Sequence, residues 1–170
     1  MQDIRILGAS EVNVNDYRKL RLEALLEEPQ AFGSSHKDQI NLPIEEWQKW
    51  LDNYIEGKNS WMVFAADGAE LVGMIGAYQS EEIKNETAQI IAMYVSKVAR
   101  GKGVSKLLIQ RLLKDLSSNS EIKEVILDVN VDQVAAVNLY KSMRFNIVKN
   151  YNLQLGDAKK HEVYLMKRSL

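Results

Sequence analysis

The residues best placed to do chemistry lie between Met93 and Lys106. There the apolar run Met93-Tyr94-Val95 gives way to Arg100-Gly101-Lys102-Gly103-Val104-Ser105-Lys106, a basic turn containing two glycines that opens a long apolar-periodic segment. A strand that feeds through such a turn into a helix makes an anion site. The first helical amides have no partner within the helix, and the helix dipole adds partial positive charge at that end. Gly101 and Gly103 let the backbone approach a phosphate without a Cβ in the way, and Arg100, Lys102 and Lys106 add charge. The plainer interpretation is a basic helix start behind a flexible turn. Two familiar phosphate loops do not fit. No G-x-x-x-x-G-K-[ST] occurs, and Lys106 stands where a dinucleotide fingerprint needs its third glycine.

Other chemistries are limited by what the chain lacks. It has no Cys, which excludes a cysteine nucleophile, thiolate metal sites and disulfides. Its two histidines, His36 and His161, are too few for a multi-histidine metal centre, so no metal is expected. Ser34 and Ser35 do not sit in a G-x-S-x-G elbow. Tyr140 lies on an apolar helix face, where burial in the core would account for it as well as chemistry does.

The elements that must position these residues follow from periodicity. Asp3–Leu7 reads as a strand and Asn13–Leu26 as a helix with Asn and Asp caps. Residues 27–42 read as a loop broken by Pro29 and Gly33, and Pro43 begins a second helix that ends at Gly57. Ser60–Ala66 and Leu71–Gln79 form a hairpin around Asp67-Gly68, and Thr87–Val95 is a third strand in the same region. Val104, Leu108, Leu112 and Leu116 recur at helical spacing over residues 103–117. Then come a strand over 122–129, a helix over 133–143, and closing strands over 145–155 and 160–168. The pattern predicts an α+β fold: a single domain over residues 1–170, with a mixed, mostly antiparallel central sheet flanked by helices.

Composition agrees with a folded chain. Of 170 residues, 46% are hydrophobic and 26% charged, enough apolar material for a full core. The formal net charge of -1 makes a dedicated nucleic-acid binder a poor fit. No apolar run is long enough for a membrane span or signal peptide, so a cytoplasmic location is expected.

The two blocks resemble the GNAT superfamily of N-acetyltransferases. Arg100-Gly101-Lys102-Gly103-Val104-Ser105 is similar to its acyl-CoA signature [QR]-x-x-G-x-[GA], with Ser105 at the last small position. Ala135-Ala136-Val137-Asn138-Leu139-Tyr140 through Phe145 is similar to A-x-x-L-Y-x-x-x-G-F, with Arg144 in place of Gly. Arg18-x-x-Arg21-Leu22-Glu23-Ala24-Leu25 followed by Pro29-x-Ala31-Phe32-Gly33-Ser34-Ser35 resembles one broad subgroup of small-molecule or protein acetyltransferases.

The resemblance implies acetyl-CoA as co-substrate. The amides of Arg100, Gly101, Lys102, Gly103, Val104, Ser105 and Lys106 would hold its pyrophosphate. The backbone of Met93, Tyr94 and Val95 would pair with the pantetheine arm, with the Val95 or Tyr94 amide facing the thioester carbonyl. Asn138, Gln133 and Asn130 are further cofactor candidates. Tyr140 matches the family's general acid. Gln89 falls where many members carry a basic Glu, which leaves Asp128, Glu86 and Glu82 as candidates for the general base. Without Cys, transfer would be direct. The acceptor is expected to be a primary amine, a small amine slightly ahead of a protein N-terminus or lysine. It would bind between the first two helices, the loop around 28–40 and the final hairpin near Gly156. The alternative is a catalytically degraded acyl-CoA sensor, in keeping with Ser105, Arg144 and Gln89. The edges of the final strands leave room for a homodimer.

Overall fold

A computed structural model describes residues 3–83 and 86–170. Seven strands form one sheet: β1 (Ile4–Gly8), β2 (Ser60–Asp67), β3 (Glu70–Tyr78), β4 (Thr87–Val95), β5 (Glu124–Asn130), β6 (Asn146–Gln154) and β7 (Lys160–Ser169). Their order is β1-β2-β3-β4-β5-β7-β6. Only β4 and β5 run parallel, and every other neighbouring pair is antiparallel. The mixed, mostly antiparallel sheet expected from the sequence is therefore observed.

Five α-helices cover the two faces: α1 (Val14–Glu27), α2 (His36–Gln39), α3 (Ile44–Glu56), α4 (Val104–Ser117) and α5 (Val134–Ser142). On one face α4 buries Val104, Leu108, Ile109, Leu112, Leu113 and Leu116. They pack with Val63, Ile75, Ile90 and Val125 from the strands and with Tyr140 and Phe145 around α5. On the other face Tyr17, Leu20, Ala24 and Leu25 of α1 pack with Trp47 and Leu51 of α3 over Phe64, Met74 and Tyr94. Tyr17 gathers Trp47, Tyr54 and Phe64 around it in edge-on contacts, the geometry aromatic quadrupoles favour.

Most element boundaries agree with the periodicity to within one or two residues. The segment 27–42 differs. It contains a 3-10 turn over Pro29–Ala31 and the short helix α2, because the Ser35 hydroxyl accepts from the Asp38 amide and caps the turn. The loop is also docked. The Gly156 amide donates to the Phe32 carbonyl at 2.6 Å, which fixes the β6–β7 turn against residues 29–34.

Arg144 explains how the chain departs from the usual glycine at that position. It follows the C-cap of α5 with φ of 66°, the left-handed conformation glycine adopts most easily. The backbone path is retained at a cost of about 1 kcal/mol in strain.

Candidate active site

The feature that organises the site is a fork in the sheet. β4 and β5 are paired only from Thr87 to Gln89 against Glu124 to Ile126. Beyond that point β5 continues beside β7 as far as Asn130, and β4 continues beside β3 as far as Val95. Backbone facing the gap between them has no strand partner, so it is available to an extended ligand.

A bulge in β4 accompanies the fork. Met74 pairs with Tyr94 and Gly76 with Ile91, so β4 carries one extra residue there. Ala92 takes it up with φ of 58°, a conformation L-residues avoid and which marks stored strain. Above the bulge the amide directions can be assigned. The Ser96 amide donates to the Val72 carbonyl. Strand alternation then turns the Tyr94 amide toward β3 and the Val95 amide toward the gap. Of the two amides considered for a thioester carbonyl, Val95 faces the open side.

The glycine turn stands at the top of the gap. Gly101 and Gly103 have φ of 75° and 78°, and a Cβ built on either would meet no atom within 4 Å. Their conformation demands glycine, while the space beside them is open. Gly103 caps α4 without a side-chain bond, which leaves the first amides of the helix, at Val104, Ser105 and Lys106, for an anion. Val104 anchors in the core, Ser105 is half-buried and Lys106 is exposed. Lys102 is also exposed. The residues present therefore fit a bound pyrophosphate.

Two expected participants have their side chains committed elsewhere. Arg100 donates from Nε to the Val95 carbonyl at 2.9 Å and from Nη2 to Glu28 Oε1 at 2.9 Å. Its guanidinium thus braces the turn against α1. The Tyr94 hydroxyl donates to Glu27 Oε2 at 2.7 Å and lies 2.8 Å from Glu23 Oε1, and the Ser96 hydroxyl donates to Glu23 Oε1 at 2.7 Å. These bonds tie the end of β4 to the C-terminal turns of α1.

Glu27 makes this tie pH-sensitive. The Tyr94 hydrogen bond, with Lys97 and Arg100 nearby, holds its carboxyl below the ordinary glutamate range. A depressed folded pKa stabilises fully above the unfolded value and is lost as pH falls through the folded one. Denaturant midpoints measured against pH are expected to show Glu27→Gln below the wild type at neutral pH. The difference should close as pH drops below the ordinary value of about 4.3.

Tyr140 is 5% exposed on α5, edge-on to Phe145 at 5.6 Å. Its hydroxyl has no hydrogen-bond partner among the described residues, and burial pushes its pKa well above the usual tyrosine value. It therefore stays protonated at any working pH. Gln133 caps α5, and Asn138 is exposed on that helix. Asn130 is 4% exposed and already bonded: its Nδ2 donates to the Gln30 carbonyl, and its Oδ1 accepts from the Asp132 amide. Its side chain fastens β5 to the 29–31 turn.

The carboxylate candidates separate clearly. Asp128 lies just above the fork, on the α1/α3 face. Gln89 Nε2 donates to its Oδ2 at 3.3 Å and the Tyr151 hydroxyl to its Oδ1 at 2.6 Å. The Tyr78 hydroxyl donates to Gln89 Oε1 at 3.1 Å. Gln89, which cannot itself act as a base, here orients one that can. Glu86 precedes β4 at the closed end of the fork, where its carbonyl accepts from the Lys123 and Glu124 amides. Its side chain is exposed, as is that of Glu82 in the preceding turn; Glu82 lies near the Tyr78 hydroxyl, whose pKa is raised by burial, by Asp128 and by Glu82. Tyr78 and Tyr151 were invisible to spacing. Tyr78 reaches Gln89 because the two are cross-strand neighbours, and Tyr151 arrives from the far edge of the sheet.

A forked mixed sheet with an uncapped, glycine-preceded helix at its mouth suits an extended ligand that carries phosphate. The acetyltransferase (GNAT) family model matches residues 21–145, and this chain belongs to that family. Human N-acetyltransferase 8 is 28% identical over 95 residues, which span 55% of this chain and 41% of that protein's length. The fold matches yncA from Salmonella typhimurium, solved with its cofactor acetyl-CoA, with a TM-score of 0.79 at 14% identity over 100% of this chain and 94% of that one. It also matches Arabidopsis thaliana NAA60 in complex with acetyl-CoA, with a TM-score of 0.74 at 21% identity over 99% of both chains. Among the described residues no helix is long and apolar enough to cross a membrane.

Proposed function

We propose that this chain transfers the acetyl group of acetyl-CoA directly to a primary amine, with small amines ahead of protein N-termini and lysines. The observation that carries this reading is the β4–β5 gap, which opens toward the uncapped start of α4. Acetyl-CoA supplies the thioester whose acetyl group is transferred. The amides at residues 101–106 bind its pyrophosphate, and the gap-facing edge of β4 orients its arm. As the amine nitrogen forms its bond to the carbonyl carbon, negative charge builds on the carbonyl oxygen, and the Val95 amide stabilises it. As the carbon–sulfur bond breaks, Tyr140 gives its proton to the departing sulfur and recovers one from solvent. Asp128, held by Gln89 and Tyr151, takes the proton the amine sheds.

The test is thiol release from acetyl-CoA with a panel of spermidine, amino acids, aminoglycosides and short peptides with free N-termini. Release with one class establishes the reaction and names the acceptor. Binding of acetyl-CoA without release from any member would favour a sensor. Asp128→Asn keeps the shape and removes the base, and it is expected to lower kcat about 100-fold at neutral pH. The loss should shrink as pH rises and the free amine becomes abundant. A pH-independent loss would place the base elsewhere.

A further inference from the structure

Arg21 is a cation without a counter-charge. It makes no ion pair among the described residues, and of its three guanidinium nitrogens only Nε has a partner there, Gln39 Oε1 at a long 3.4 Å. Nη1 is sealed from solvent and unbonded. The guanidinium lies 4.9 Å over the Phe32 ring, with the Tyr17 and Tyr54 phenols nearby, and burial pulls its pKa down from the ordinary arginine value. Leaving a guanidinium this desolvated without an anion is costly, and such groups are normally paired.

The place of Arg21 says what would pair with it. The residues around it belong to the α1/α3 face of the sheet. Asp128 is on that same face, because it alternates with Leu127 and Val129, which point into the α4 core. The turn that carries Phe32 joins the two positions. Its Gln30 carbonyl accepts from Asn130 on β5, and its Phe32 carbonyl accepts from Gly156 of the final hairpin. Among the described residues, the same face therefore carries a carboxylate without a cation at the fork and an arginine without an anion on α1.

We infer that the acceptor carries a carboxylate as well as its amine, and that Arg21 binds this carboxylate while the amine lies at Asp128. The inference rests on the acetyltransferase reading and specifies its substrate class as amino acids. An arginine fork recognises a carboxylate through charge-assisted hydrogen bonds, and Gln39 and Phe32 hold the fork in place.

The experiment compares matched acceptors with and without the carboxylate: leucine with isopentylamine, phenylalanine with phenethylamine, and glycine, β-alanine and 4-aminobutyrate with simple alkylamines. Acetyl-CoA affinity is measured in parallel. The expected result is a kcat/KM at least 10- to 100-fold higher for one carboxylate-bearing set, with the ω-amino series showing which amine-to-carboxylate spacing fits. Arg21→Met should collapse that ratio toward one and leave Tm unchanged or higher, since a purely structural arginine would lower Tm instead. Arg21→Lys should restore part of the ratio. Acetyl-CoA binding with equal or better use of carboxylate-free amines, or with a preference that survives Arg21→Met, overturns this inference alone. Acetyl-CoA binding with no acetylation of any member favours a sensor and overturns the parent reading as well. Failure to bind acetyl-CoA overturns the parent reading and takes the inference with it.

Discussion

Tyr140→Phe is expected to lower kcat about 100-fold with little change in the KM for either substrate, the size of effect a lost general acid produces. The same substitution should leave Tm unchanged or slightly raised. The hydroxyl has no hydrogen-bond partner among the described residues and is not one of the sealed, unbonded atoms, so removing it breaks no bond within the protein. This combination separates the two interpretations of Tyr140. A core tyrosine whose hydroxyl served packing would lose stability and keep activity. Because burial holds the phenol protonated, the alkaline limb of the kcat profile should not report its titration in the ordinary tyrosine range. Steady-state kinetics with thermal unfolding of the same preparations checks both halves.

The second large effect is expected at Gly156. A Cβ there would lie 2.3 Å from the Ser34 carbonyl oxygen and 3.0 Å from the Pro29 carbonyl oxygen. Both are backbone atoms, so no side chain can swing aside. Gly156→Ala must push the 29–34 segment off the β6–β7 turn, and overpacking of this kind costs about 1–3 kcal/mol. Phe32 is 4% exposed in the α1/α3 core, so the displacement is resisted from beneath. The α4 turn meets this segment through the Arg100–Glu28 pair at its margin, while the amides at the start of α4 lie on the other side of the fork and should feel little of the change. The account therefore predicts a raised acceptor KM and a lower Tm, with acetyl-CoA affinity preserved. Equal losses of acetyl-CoA and acceptor binding would show that the loop serves the whole fold rather than the acceptor wall.

The sheet and its helices were legible because apolar residues alternate along the strands and recur at helical spacing in α4. The anion turn was legible for a similar reason: Gly101 and Gly103 are required locally, by their own φ angles, and local requirements leave a mark in sequence. What could not be read were partnerships made across the fold. Spacing does not show that Arg100 spends its charge on Glu28 and the Val95 carbonyl, or that Asn130 fastens the 29–31 turn. Nor does it show that Gln89 is a link between Tyr78 and Asp128, because the three residues come from different strands and meet only through the register. The short helix α2 was missed because four residues are too few to carry a period, and its Ser35 cap is the one local signal it offers.

The central claim is that the fork and the start of α4 hold acetyl-CoA. Calorimetric titration of acetyl-CoA into the wild type and into Gly103→Val tests it most directly. A valine at that residue must adopt a φ of 78° and place its side chain in the open space over the helix amides. The account predicts one saturable site in the wild type. Gly103→Val should weaken it at least about tenfold, the loss of roughly one charge-assisted hydrogen bond, in a variant whose Tm falls by the strain of a β-branched residue at positive φ but which is still folded at the titration temperature. No binding in the wild type, or an affinity untouched by Gly103→Val, would contradict it.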